Sequence, residues 1–158
     1  MSYDRNQRPG QGSRQVGFDL SFLDDGFRTN PEKNLRPELL DEKANKLGWH
    51  FARVARVSSG QFRRFHQEIL KVEKASQGAD YSQWAYLLVM LKSRAQYLNG
   101  RRAIPPDFMR FIEKGVNTVK TTAERGSPED ARQAVSDLRL TFEATLGYFV
   151  GSGGSRNQ

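Results

Sequence analysis

Five stretches of this chain repeat their apolar residues at three- and four-residue spacing. Each is bounded by proline, glycine or serine where helices start and stop. The first opens near Pro37 and runs through Leu39, Leu40, Ala44 and Leu47, with Gly48 placed to break or bend it before Phe51. The second follows Ser58 or Ser59 as N-cap and carries Phe62, Phe65, Ile69 and Val72. The third covers about Tyr81 to Asn99, with Gly100 as its stop. It is apolar nearly all round, a pattern that predicts the central, buried helix. The fourth opens at Pro105 or Pro106 and carries Phe108, Phe111, Ile112, Val116 and Val119. The fifth has Ser127 as N-cap, Pro128 in its first turn and Glu129 and Asp130 at the positive end of the helix dipole. It continues to about Val150.

No segment alternates β-branched and polar residues, and no Asn-Gly turn joins two such segments. The fold class that follows is all-α: a compact bundle of about five helices over residues 37–150, with disordered N- and C-terminal tails. Residues 1–15, almost without apolar content and rich in Gly, Arg and Gln, read as a disordered tail, and residues 151–158 as a flexible one. Residues 16–36 hold Phe18, Leu20, Phe22, Leu23 and Phe27 among acids and glycines. This segment reads as an extended aromatic arm that docks either on its own core or on a neighbouring subunit.

Charge separates the function classes. The window 51–102 has ten basic residues against three acids, an excess equal to the whole formal net charge of +7. The residues before and after it are balanced. A basic stripe on an otherwise neutral chain is the footprint of a polyanion binder, with nucleic acid as the leading partner. Arginine outnumbers lysine seven to three in the window. Its planar fork engages phosphate oxygens bidentately, which suits RNA. On the second helix Arg63, Arg64, Lys71 and Lys74 fall roughly opposite the apolar stripe. Lys92, Arg94, Arg101 and Arg102 gather toward the end of the third, where cations also suit the negative dipole end. Tyr97 is the best candidate for an exposed aromatic in the stripe. So few aromatics favour holding a backbone over reading unstacked bases, and no exposed apolar patch is expected beside the cations, as a membrane-surface helix would need.

Catalysis finds little support. The chain has no cysteine and two isolated histidines, so neither a thiolate nor a zinc site is expected. Glu129 with Asp130 reads as a helix start, Asp24 with Asp25 as side chains too divergent for a cation site, and His50 and His66 as partly buried structural histidines. No cofactor is expected. Without an apolar run in the first thirty residues or a membrane-length apolar stretch, the expectation is a cytoplasmic protein with no membrane partner.

Three motifs then suggest a family. Ser58-Ser59-Gly60-Gln61-Phe62-Arg63-Arg64-Phe65 is similar to the "Ser/Thr-x-x-Gln-hydrophobic-Arg" helix start of the small subunit of type III-A CRISPR (Csm) effector complexes. Leu91-Lys92-Ser93-Arg94-Ala95-Gln96-Tyr97-Leu98-Asn99-Gly100-Arg101 resembles that family's Leu-Lys-x-Arg/Lys-x-x-Tyr-x-x-Gly-Arg signature. Phe142-Glu143-Ala144-Thr145-Leu146-Gly147-Tyr148 resembles its Phe-Glu-Ala-x-x-x-Tyr ending. The resemblance covers about residues 50–150. It implies a non-catalytic, all-helical subunit in antiviral defence, stacked in several copies along a filament. Its implied partners are guide RNA and target RNA, the repeating backbone subunit, the large subunit and neighbouring copies of itself. By motif match Gln61, Arg63, Arg64, Lys92, Arg94 and Arg101 face RNA; Arg53, Arg56, Lys71 and Arg102 are added on charge alone. The other function class is a helical protein-binding adaptor whose basic face docks an acidic partner.

Overall fold

Helix starts fall where the capping residues put them. In the computed structural model, which describes residues 17–29 and 33–154, the Ser58 side chain accepts from the Gln61 backbone N–H and opens α2, Ser59–Ser76. Asp80 and Gln83 form a reciprocal capping box at the start of α3, Tyr81–Gly100. Pro106 stands at the first turn of α4, Pro106–Arg125. Ser127 and Asp130 form the second box, with Pro128 at the first position of α5, Pro128–Gly151. Pro37 opens only a 3-10 turn, Pro37–Leu39, and the first α-helix, α1, spans Glu42–Arg53. Among the described residues there is no strand, only an isolated bridge between Arg28 and Leu35. The all-α bundle of five helices is what the apolar spacing predicts. The disordered reading of residues 1–15 lies outside the described residues, as does the flexible reading of residues 151–158 from residue 155 on.

Gly48 does not break the first helix. It lies inside α1, where a Cβ would sit 2.7 Å from the Phe149 backbone nitrogen and 2.7 Å from the Tyr148 Cβ. Its role is to let the backbones of α1 and α5 approach closely.

The central helix is α5, not α3. It packs mainly against α1, α2 and α4, whereas α3 lies against α2 and α4. α5 buries Ala131, Ala134, Val135, Leu138, Thr141, Phe142, Thr145 and Phe149. The buried Thr141 and Thr145 hydroxyls donate to carbonyls one turn earlier, each at 2.8 Å, so these small residues enter the core with no orphaned hydroxyl. Around α5 seven phenylalanines (Phe51, Phe62, Phe65, Phe108, Phe111, Phe142 and Phe149) meet with ring centroids 4.8–6.0 Å apart. Such aromatic pairs add about 0.5–1.5 kcal/mol each beyond the area they bury. α3, apolar nearly all round, buries only one face: Trp84, Leu88, Leu91 and Ala95.

The aromatic arm docks on its own core. Leu20, Leu23 and Phe27 are 2%, 2% and 3% exposed and belong to the same cluster as the helix phenylalanines. The Arg36 guanidinium donates to the Phe22 and Gly26 carbonyls at 2.7 and 2.9 Å and braces the turn, with Gly26 at φ +79°. Arg28 fastens the arm to α5 through Asp137. At the other end Ser152 accepts from Arg53 and Gly154 is buried against Phe149.

Candidate nucleic-acid interface

The basic residues divide by what they touch. Arg56, Arg63, Arg64, Lys74 and Arg102 are exposed and form no ion pair or side-chain hydrogen bond among the described residues. Arg56 and Arg102 hold positive φ, +54° and +60°, in the loops that follow α1 and α3, and both are surface positions. Arg53 Nε donates to the Ser152 carbonyl at 2.7 Å, which places a cation at the negative end of α5.

Glu68 ties the two basic helices together. Its Oε1 meets Lys71 on α2 and Arg94 on α3, both at 3.3 Å. Arg64, one turn before Glu68, lies on the same flank of α2, beside the carboxylate that Lys71 and Arg94 share. Exposed pairs of this kind contribute about 0–1 kcal/mol, so a phosphate can replace the carboxylate at small cost. Arg63 extends the cluster on the open side of α2. Lys92 points the other way: half-buried, it donates to Asn117 on α4 at 3.3 Å. Arg101 donates to the Tyr97 hydroxyl at 2.6 Å. Gln61 is half-buried, and its Oε1 is enclosed without a hydrogen-bond partner, so its side chain is turned inward from the arginines beside it.

What the sequence reading missed is the outer face of α3. Tyr86, Met90, Tyr97 and Val89 are 63%, 60%, 59% and 53% exposed. The expectation that no exposed apolar patch accompanies the cations is therefore corrected: a patch runs the length of α3 beside them.

The groups weighed for chemistry are absorbed by structure. Asp130 caps α5, and hydrogen bonds from the Ser127 backbone and side chain hold its carboxyl below the usual range. Asp24 pairs with Lys114 at 2.5 Å. The His66 ring lies parallel to Phe142 at 6.4 Å, and its Nε2 is enclosed without a partner. His50 Nε2 donates to Asp107 Oδ2 at 2.8 Å. A groove of about 880 Å³ between the arm, α4 and the start of α5 mixes Asp24, Asp25, Glu129 and Asp130 with Lys114 and Arg125. Among the described residues no cluster of three or more potential metal ligands occurs, and no helix is long and apolar enough to cross a membrane.

Compared with known proteins, residues 34–149 match the family model described as Csm2 Type III-A. No curated protein and no solved structure matches the chain.

Proposed function

Since this chain belongs to the Csm2 family, structural small subunits of type III-A CRISPR complexes, we propose that it holds guide and target RNA by phosphate contacts along α2 and the end of α3. One observation carries the reading: Arg63, Arg64 and Arg102 are exposed with no ion-pair partner among the described residues, and Lys71 and Arg94 share the single carboxylate of Glu68. Sequence specificity in a guided complex comes from base pairing, so a subunit lining the duplex groove needs phosphate contacts and shape alone. No chemistry is required of it: Asp24 and Asp107 are held in ion pairs, Asp130 caps α5, and His66 packs against Phe142. The rest of the surface, balanced in charge, serves contacts with the backbone and large subunits and with neighbouring copies stacked along the filament. In this reading Gln61 shapes the start of α2, and Arg53 closes the end of α5.

The test is co-purification of the tagged chain from its native cell under mild salt. The reading predicts short RNAs sharing one constant end, recovered with the large and backbone subunits, and less RNA per complex for R63A/R64A. Recovery of a protein partner without RNA would reject it in favour of an adaptor docking an acidic partner.

A further inference from the structure

We infer that the outer face of α3 is a stacking ledge for unpaired RNA bases, with Tyr97 and Tyr86 as the residues that receive them. The inference rests on the RNA-binding reading above and adds contact with bases to contact with phosphates.

α3 presents two stripes of identical spacing. Trp84, Leu88, Leu91 and Ala95 form the buried one. Tyr86, Met90, Ser93 and Tyr97 repeat the same intervals two residues later and form the exposed one, with Val89 at its edge. At 100° per residue the four exposed positions fall within about 60° of one another, and Tyr86 and Tyr97 are about 16 Å apart along the axis. The two rings therefore meet different nucleotides.

The charges around this stripe decide its occupant. No acid occurs between Tyr81 and Gly100. Arg94, paired with Glu68 of α2, and Arg101, bonded to Tyr97, flank the stripe on one side. Arg101 donates to the Tyr97 hydroxyl at 2.6 Å, and its guanidinium carbon lies 5.5 Å from the ring centroid. This contact orients the ring and sets a phosphate-binding charge beside it. Flat rings beside cations match a strand of alternating bases and phosphates. A lipid surface would call for Trp, Phe or Leu at the exposed positions, where this face sets Met90 and Val89 beside two phenols and a serine.

The test compares two labelled single-stranded probes of equal length, oligoadenylate and an abasic ribose-phosphate chain, by fluorescence anisotropy on the full chain at low salt. The inference predicts tighter binding of oligoadenylate. Y97A and Y86A should each weaken that binding about tenfold, leave the abasic probe unchanged, and be rescued by Y97F or Y86F. Both positions are exposed, so folding is little affected. Equal, salt-dependent binding of both probes by the unsubstituted chain would overturn the ledge and leave the phosphate face standing. Binding of neither probe would overturn both. Equal loss on both probes in Y97A would reduce the tyrosine to a support for Arg101. A dimer in sedimentation that Y86A dissolves would give the face to a second copy. Flotation with phosphatidylserine vesicles would give it to lipid. Either of these last two results overturns the inference.

Discussion

Arg28 grips Asp137 with both arms of its guanidinium: Nε to Oδ2 at 2.7 Å and Nη2 to Oδ1 at 2.9 Å, across 109 residues of chain. The Asp137 side chain is 1% exposed, and this contact raises the Arg28 pKa above its ordinary value. R28A strands a buried carboxylate and should cost about 3–5 kcal/mol, read as a shift in urea midpoint. Replacing both partners, as in R28M/D137L, should recover most of that loss, because removing the pair together leaves no uncompensated charge. A double variant no better than R28A would show that the arm needs the ion pair itself.

The approach of α1 to α5 makes a second prediction. A Cβ at Gly48 meets the backbone nitrogen of Phe149, which has no freedom to move aside. G48A, favourable by helix propensity alone, should therefore destabilise by about 1–3 kcal/mol. G147A offers the contrast: its Cβ would meet nothing within 4 Å, so thermal melting should show no loss.

A third prediction concerns pH. Burial pushes the Asp107 carboxyl up, but hydrogen bonds from Arg110 and His50 and from the Phe18 backbone outweigh it and hold the pKa below the ordinary range. A carboxyl depressed in the folded state stabilises the fold above its unfolded pKa, and that contribution is lost as pH falls through the folded value. D107N should lower the melting temperature by a few degrees at neutral pH. The gap should close only on acidification below the usual carboxylate range. A gap that persists there would assign the loss to packing.

Much of this molecule is legible in its sequence because its helices announce their own ends. Ser58, Pro106 and the Ser127–Asp130 box act through local hydrogen bonds that depend on neighbours a few residues away. The phenylalanine spacing on α2 and α4 likewise gives the core faces. Order within the bundle is not local. α3 has more apolar residues than a buried helix needs, and two stripes offset by two residues satisfy the same periodicity. Nothing in residues 81–100 says that Trp84 turns inward and Tyr86 outward. α5 occupies the centre with alanines and threonines, whose small size permits contact on three sides but leaves a weak apolar signal. The charge excess locates the candidate face on α2 and α3. That Gln61 turns inward, Arg53 closes α5, and Lys71 and Arg94 share Glu68 depends on helix packing. For the same reason, the docking of the arm on its own core became visible only with Leu20, Leu23 and Phe27 in place.

The central claim, that the exposed arginines of α2 hold RNA phosphates, is tested most directly by the salt dependence of single-strand RNA binding. Each phosphate contact contributes about −0.7 to the slope of log affinity against log salt. The account predicts that R63A/R64A flattens the slope by about 1.4 relative to the unsubstituted chain, with the helical fold intact. An unchanged slope in that variant would contradict it.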